Sequence, residues 1–260
     1  MTNRVRDLLV SVFLLLACQP TSARADRRYF AQSYTPYLAS ANNLELEVIS
    51  IARSGQGDSS GTSWQNRIEF EYGITDRLTG AAYLNFIQPA GLDAATTFDG
   101  PSLEFIYRFA DPGRLPVDPA AYLEVRANGS ELEVEPKLLL ARRVYKLVSV
   151  VNAIGEWERH SAGTERGTTE KRFSVSAGVS RELGHAVAFG VEGVYTRVLS
   201  GGGPNASSLL FGPTLNLQTP KLQLTLAWHP QISGRPADSG HLNLDSFPRS
   251  EVRLLVGVEL

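Results

Sequence analysis

The sequence predicts an all-β fold: a transmembrane, antiparallel, up-and-down β-barrel of about twelve strands. Three observations predict it. Segment after segment alternates apolar with polar residues at a period of two, which gives a strand one greasy and one charged face. Most of these segments run about ten residues, the length a tilted strand needs to cross a bilayer, whereas soluble strands average about five or six. Short turns alternate with longer polar loops, and an even strand count returns both chain ends to one side.

The chain begins with Arg4 and Arg6, an apolar run over 8–17 and the small-residue site Ala23-Arg24-Ala25. This is the layout of a secretory signal peptide, 1–25, and its apolar core is too short to span a bilayer. Residues 26–260 are then expected to form a single barrel domain. The one Cys, Cys18, and the one Met both fall in the leader, so the exported chain would carry no disulfide. Leu15-Leu16-Ala17-Cys18 also resembles a lipoprotein cleavage box. A net charge of −2 gives no basis for nucleic-acid binding.

Residues 27–40 show no period and are expected on the periplasmic side. The first strand spans 44–53, with Leu44, Leu46 and Val48 opposed to Glu45 and Glu47. A Gly/Ser-rich loop leads to the clearest hairpin, 64–74 and 78–86, joined at Thr75-Asp76-Arg77. The fourth strand, 103–109, is followed by the breakers Asp111-Pro112-Gly113. Strand 121–127 turns at Asn128-Gly129, a strong two-residue hairpin signal, into 131–140. Pro136 lies within that strand and predicts a bulge. Strands 147–158, 172–181, 186–197, 208–217, 222–229 and 251–260 complete the twelve. Gly201-Gly202-Gly203-Pro204 is a loop and not a phosphate cradle, since no helix pattern and no suitably placed Lys follow. The long-loop rule puts 54–62, 88–99, 159–170 and 231–247 outside the cell, with Asp76 and Gly184 in the periplasm.

Alternation alone also suits a soluble sandwich, so aromatic placement matters. Trp64, Trp157 and Trp228 fall at loop-side strand ends, and Tyr72, Tyr107 and Phe109 at turn-side ends. Such rings prefer the headgroup level, so two belts are expected. The opposite faces would line the lumen with Glu45, Glu47, Arg67, Glu69, Glu71, Glu104, Arg108, Glu124, Arg126, Glu131, Glu133, Glu135, Lys137, Glu156, Glu158, Arg172, Glu192, Glu251, Arg253 and Glu259. With Arg53 added, fourteen acids face seven bases, an excess of seven negative charges in a nearly neutral chain. That lumen is either a channel favouring cations or a ladder of ion pairs that fills a narrow barrel.

The turn Tyr72-Gly73-Ile74-Thr75-Asp76-Arg77-Leu78-Thr79 is similar to turns of Gram-negative outer-membrane barrels, including those grouped with phenol meta-pathway transporters. Arg28-Tyr29-Phe30 and Glu156-Trp157-Glu158 resemble an uncharacterised, domain-of-unknown-function family of such barrels. The resemblance covers residues 27–260 and implies a fold and an outer-membrane location, with no catalytic residues. Such barrels commonly end in Phe or Trp, whereas this sequence ends in Leu260.

Motifs for catalysis, metal binding or cofactors are not found: there is no H-E-x-x-H, Cys cluster or G-x-S-x-G. One constellation could act as a hydrolase, His229 and His241 flanking Asp238, Asp245, Ser239 and Ser246. His160 and His185 have no comparable setting. The expected function is a passive channel or transport component for small polar or cationic solutes. The alternative is a closed structural barrel with an ion-paired interior and interacting loops. Expected partners are outer-membrane lipid, lipopolysaccharide and the barrel-assembly machinery.

Overall fold

The computed structural model describes residues 28–57, 61–91, 94–161, 168–200 and 205–260. The expected signal peptide and Cys18 lie outside these residues, as does the triple-glycine loop. Twelve strands are present: β1 (Leu44–Ser54), β2 (Thr62–Thr75), β3 (Leu78–Gln88), β4 (Thr97–Arg108), β5 (Asp118–Ala127) and β6 (Glu131–Val144) in the first half. The second half holds β7 (Leu147–His160), β8 (Thr169–Glu182), β9 (Val187–Ser200), β10 (Ala206–Gln218), β11 (Leu222–Arg235) and β12 (Ser250–Glu259). Each strand pairs antiparallel with its chain neighbours, and β1 pairs with β12, so the sheet closes into a barrel. Closure leaves no edge of unpaired backbone groups, which lipid could not solvate.

The two faces separate as the alternation predicts. Leu103, Phe105 and Tyr107 of β4 point outward and are exposed, while Glu104 between them is buried. The same holds on β2, where Phe70 and Tyr72 flank the buried Glu71. Trp64, Tyr72, Tyr107, Phe109, Trp157 and Trp228 are all exposed on the outer surface. Trp228 shares a ladder row with Trp64 through Val252 and Ala52, although β11 runs seven residues beyond it to Arg235.

The register differs from expectation at Pro136. No bulge occurs there: Pro136 stays in step with Leu123 of β5, and only the rungs of Glu135 and Pro136 to β7 are missing. The proline has no N–H to offer on that side, and the residue facing it is Gly155. The Trp157 ring packs over that glycine, with ring carbons 3.2 and 3.3 Å from where a Cβ would sit. The register shifts fall at Gly73/Thr75, Leu84/Phe86 and Leu209/Leu210. Most strands run past the ends the alternation suggested, and two do so by six residues at one end. β4 begins at Thr97 and β11 continues to Arg235, so the last loop begins beyond Arg235.

The larger correction concerns residues 28–43. This segment does not lie below the barrel; it enters the lumen. Tyr29, Phe30, Ala31, Ser33 and Ala39 are buried inside the sheet. It leaves the barrel over Gly73, where the backbone N–H of Asn42 donates to the Gly73 carbonyl (2.7 Å). A Cβ on Gly73 would overlap the Ser40 carbonyl, so only glycine admits this close approach.

Candidate functional site: a plugged lumen with an open vestibule

The inserted segment is seated in three apolar sockets on the inner wall. Tyr29 and Phe30 pack with Ala141, Val148, Val150 and Ala188 of β6, β7 and β9. Ala31 joins Ile49, Ile51, Tyr83 and Leu255, and Tyr34 and Leu38 pack against Ile106, Ala120, Tyr122 and Leu139. Burying a Phe-sized side chain contributes about 1.5–3 kcal/mol, so these sockets hold the segment firmly. The wall is cut to fit it. A Cβ on Gly178 would lie 2.5 Å from a ring carbon of Phe30.

A single-stranded segment inside a barrel must find partners for its own backbone. Glu192, fully buried on β9, supplies them. Its carboxylate accepts the N–H groups of Ala31 (3.1 Å), Gln32 (3.2 Å) and Ser33 (2.6 Å) in succession. Asn152 of β7 clasps Tyr34 on both sides, its Oδ1 accepting from Tyr34 N (2.7 Å) and its Nδ2 donating to Tyr34 O (3.0 Å). The Gln32 amide donates to Glu251 (2.9 Å) and lies 3.2 Å from Nδ1 of His229. Tyr37 donates to Asp118 at the turn-side rim (3.1 Å).

The charge excess resolves into two populations. Glu45, Glu47, Glu69, Glu71 and Glu259 occupy facing ladder positions on β12, β1 and β2, turn-side, and Glu104 is nearby on β4. The segment brings one guanidinium to this belt. Arg28 lies 3.1 Å from Glu47 and 3.6 Å from Glu69. Gln223 donates to both Glu45 (2.6 Å) and Glu47 (2.8 Å), and Tyr83 donates to Glu104. All six acids are buried. Arg108 is held at the turn-side rim by the Asp76 carbonyl (2.6 Å).

The other population lines a cavity of about 770 Å³ that opens at the loop side and is floored by Gln32 and Tyr34. A pocket beside the plug, lined by residues such as Phe30, Ile49 and Leu255, measures about 30 Å³, room for a water and not for a solute. Seven acids and six bases line the cavity, and they are not evenly spread. Arg53, Arg67 and Arg253 with Glu251 come from β12, β1 and β2. Glu124, Glu133, Glu135, Glu156, Glu158 and Glu170 with Arg126, Lys137 and Arg172 come from β5 to β8. In a ring of twelve strands β1 stands opposite β7. One wall therefore carries an excess of two positive charges and the facing wall three negative.

Most of these charges are paired within their own wall. Arg53 and Arg253 share the two oxygens of Glu251 (2.8 and 2.6 Å). Arg126 bridges Asp99 and Glu133, Lys137 pairs with Glu135 (2.8 Å), and Arg172 with Glu156 (2.9 Å). Arg67 reaches across β3 and β4 to Glu124 and accepts a place over the Tyr83 ring. Glu131 and Glu158 meet His160 at the loop-side rim (2.7 and 3.5 Å). Glu131–Glu158–His160 and Glu133–Glu156–Glu158 bring ligand atoms within 4.8 Å of one another, but Arg126 and Arg172 already serve these carboxylates.

The structure does not assemble the hydrolase constellation. His229 points into the lumen and is fully buried, 3.4 Å from Glu192. His241 is exposed on the loop between β11 and β12. Asp238 is engaged elsewhere in that loop, its Oδ2 accepting the N–H groups of Leu244 and Asp245 (2.7 Å each). Those two bonds hold its carboxyl below the usual carboxylate range.

The same architecture occurs in solved proteins. The chain is similar to the COG4313 outer membrane channel from Pseudomonas putida F1, with a TM-score of 0.66 and 11% identity over 94% of this chain and 100% of that one. The NanC porin is similar at a TM-score of 0.56 and 14% identity, over 83% of this chain and 100% of that one. The KdgM porin, solved in complex with disordered oligogalacturonate, is similar at 0.55 and 6%, over 83% and 99%. At such identities the likeness is one of fold. No protein-family model and no curated protein sequence matches the chain. The chain has the fold of an outer-membrane barrel channel.

Proposed function

We propose that the protein is a passive channel of the Gram-negative outer membrane for small polar or cationic solutes, closed at rest by residues 28–43. The observation that carries this reading is the nature of the obstruction. A structural barrel would be filled by side chains of its own strands. Here the strands leave a polar, loop-side vestibule of about 770 Å³, and the turn-side half is filled by a segment that runs on covalently into β1 and is not itself a strand of the sheet. A tethered segment can leave without any strand-to-strand hydrogen bond breaking; what it gives up are its own bonds to side chains such as Glu192 and Asn152. The facing charged walls support polar traffic, because fixed charges between low-dielectric walls focus a field. The uncharacterised barrel family that the motifs resemble fits the same reading.

The test is solute entry into proteoliposomes holding the refolded chain. Swelling should be faster in small polar solutes than in protein-free liposomes, and faster for cationic than for anionic solutes of equal size. Swelling indistinguishable from protein-free liposomes for every solute, with the barrel folded, would favour the closed structural barrel.

A further inference from the structure

The outer surface carries charge of a single sign. Every carboxylate of the twelve strands lies on the lumen face or at the rims, as the ladder positions above place them. The charged strand residues on the outer face are Arg142, Arg159, Lys171, Arg181, Arg197 and Arg235, all basic. Three of them meet on adjacent strands near the loop side. Thr169 stands opposite Arg159 and Phe173 opposite Arg197, each two residues from Lys171 on β8. Arg159 and Arg197 are therefore both diagonal neighbours of Lys171, roughly 7–8 Å away and within reach of long side chains.

All three are exposed, and none forms an ion pair among the described residues. Directly turn-side of them, Trp157, Phe173 and Tyr195 are exposed on the same face. Aromatic rings at this depth mark the boundary between acyl chains and headgroups. Cations just beyond that boundary are placed at headgroup level, and Arg forks match phosphate oxygens.

We infer that Arg159, Lys171 and Arg197 form a binding site for a phosphorylated lipid headgroup in the loop-side leaflet. The site lies on the outer surface of β7–β9 and does not depend on whether the lumen conducts. The lipid's acyl chains lie along Trp157 and Phe173, and its phosphate sits among the three cations.

Native mass spectrometry of the detergent-refolded full chain tests this with two probes, phosphatidylglycerol and phosphatidylcholine. The wild type should retain phosphatidylglycerol preferentially. Arg159→Gln with Lys171→Gln and Arg197→Gln should weaken that retention on the order of 100-fold, about fivefold for each cation removed. Arg159→Lys with Arg197→Lys should retain it, and Arg142→Gln with Arg181→Gln on the turn side should leave it unchanged. Heat-modifiable migration reports folding, and Lys171→Gln alone, at about fivefold, keeps the test available should the triple variant misfold. Equal retention by wild type and folded triple variant would overturn the site. Displacement of the lipid by millimolar inorganic phosphate would also overturn it, because it would identify a free-phosphate site.

Discussion

Glu192 is the residue whose loss should most change how the lumen behaves. Replacing it with Ala removes the acceptor for three consecutive backbone N–H groups of the plug, those of Ala31, Gln32 and Ser33. Gln32 borders the vestibule and can turn to water, but Ala31 and Ser33 are buried. A buried donor left without a partner costs about 1–3 kcal/mol, so the docked state loses roughly 2–6 kcal/mol. Taking about 3 kcal/mol, and a tenfold change for every 1.4 kcal/mol, the ratio of open to closed channel should rise about 100-fold. Single-channel recording in planar bilayers measures that ratio as open probability. Thr196→Ala, a neutral change in the vestibule wall, is the control. A Glu192→Ala channel with wild-type open probability and conductance would refute the latch.

Four further outcomes are expected. Gly178→Ala places a methyl 2.5 Å from the Phe30 ring and should speed hydrogen exchange over residues 29–34, leaving strand amides protected. Glu133→Gln with Glu135→Gln changes the vestibule lining from seven acids against six bases to five against six. The reversal potential under a KCl gradient should then move toward anions, most at low salt where screening is weak. The Asp238 carboxyl is held below its unfolded value by the Leu244 and Asp245 amides, so its contribution to loop order is present above the usual carboxylate range and lost as pH falls through the depressed value. Limited proteolysis of 236–249 should therefore accelerate at acid pH, and Asp238→Asn should accelerate it already at neutral pH. Cysteine at Ser239 should react with an impermeant reagent on whole cells, and cysteine at the turn residue Tyr145 should not; the reverse pattern would invert the orientation.

The strands were legible because each repeats one instruction, apolar out and polar in, over ten or more residues. Glu104 between Leu103 and Phe105 needs no distant partner to reveal its face. Strand ends were less legible: 231–235 carry Ile232, Ser233 and Gly234, too mixed to alternate, and β11 gains them only by pairing with β10 across the Leu209/Leu210 shift. The plug was not legible. Its residues take partners from strands as far apart as β1, β5, β7, β9, β11 and β12, so no local period encodes it. One signal was present in the barrel strands. Ala141, Val148, Val150 and Ala188 are small apolar residues on the lumen face, where polar residues are expected, and they form the socket for Tyr29 and Phe30. The vestibule residues were recognisable as lumen-facing one by one. Their division into facing walls required the ring order, and the burial of Glu45, Glu47 and Glu69 required the plug.

If residues 28–43 close a channel that the twelve strands leave open, removing them should open it. The most direct measurement compares planar-bilayer conductance of the full chain with that of a chain lacking residues 28–41, each shown by heat-modifiable migration to be folded. The full chain should show small or infrequent openings, and the chain without the plug a steady, larger conductance. Equal conductance in the two, whether both silent or both open, would contradict closure by this segment.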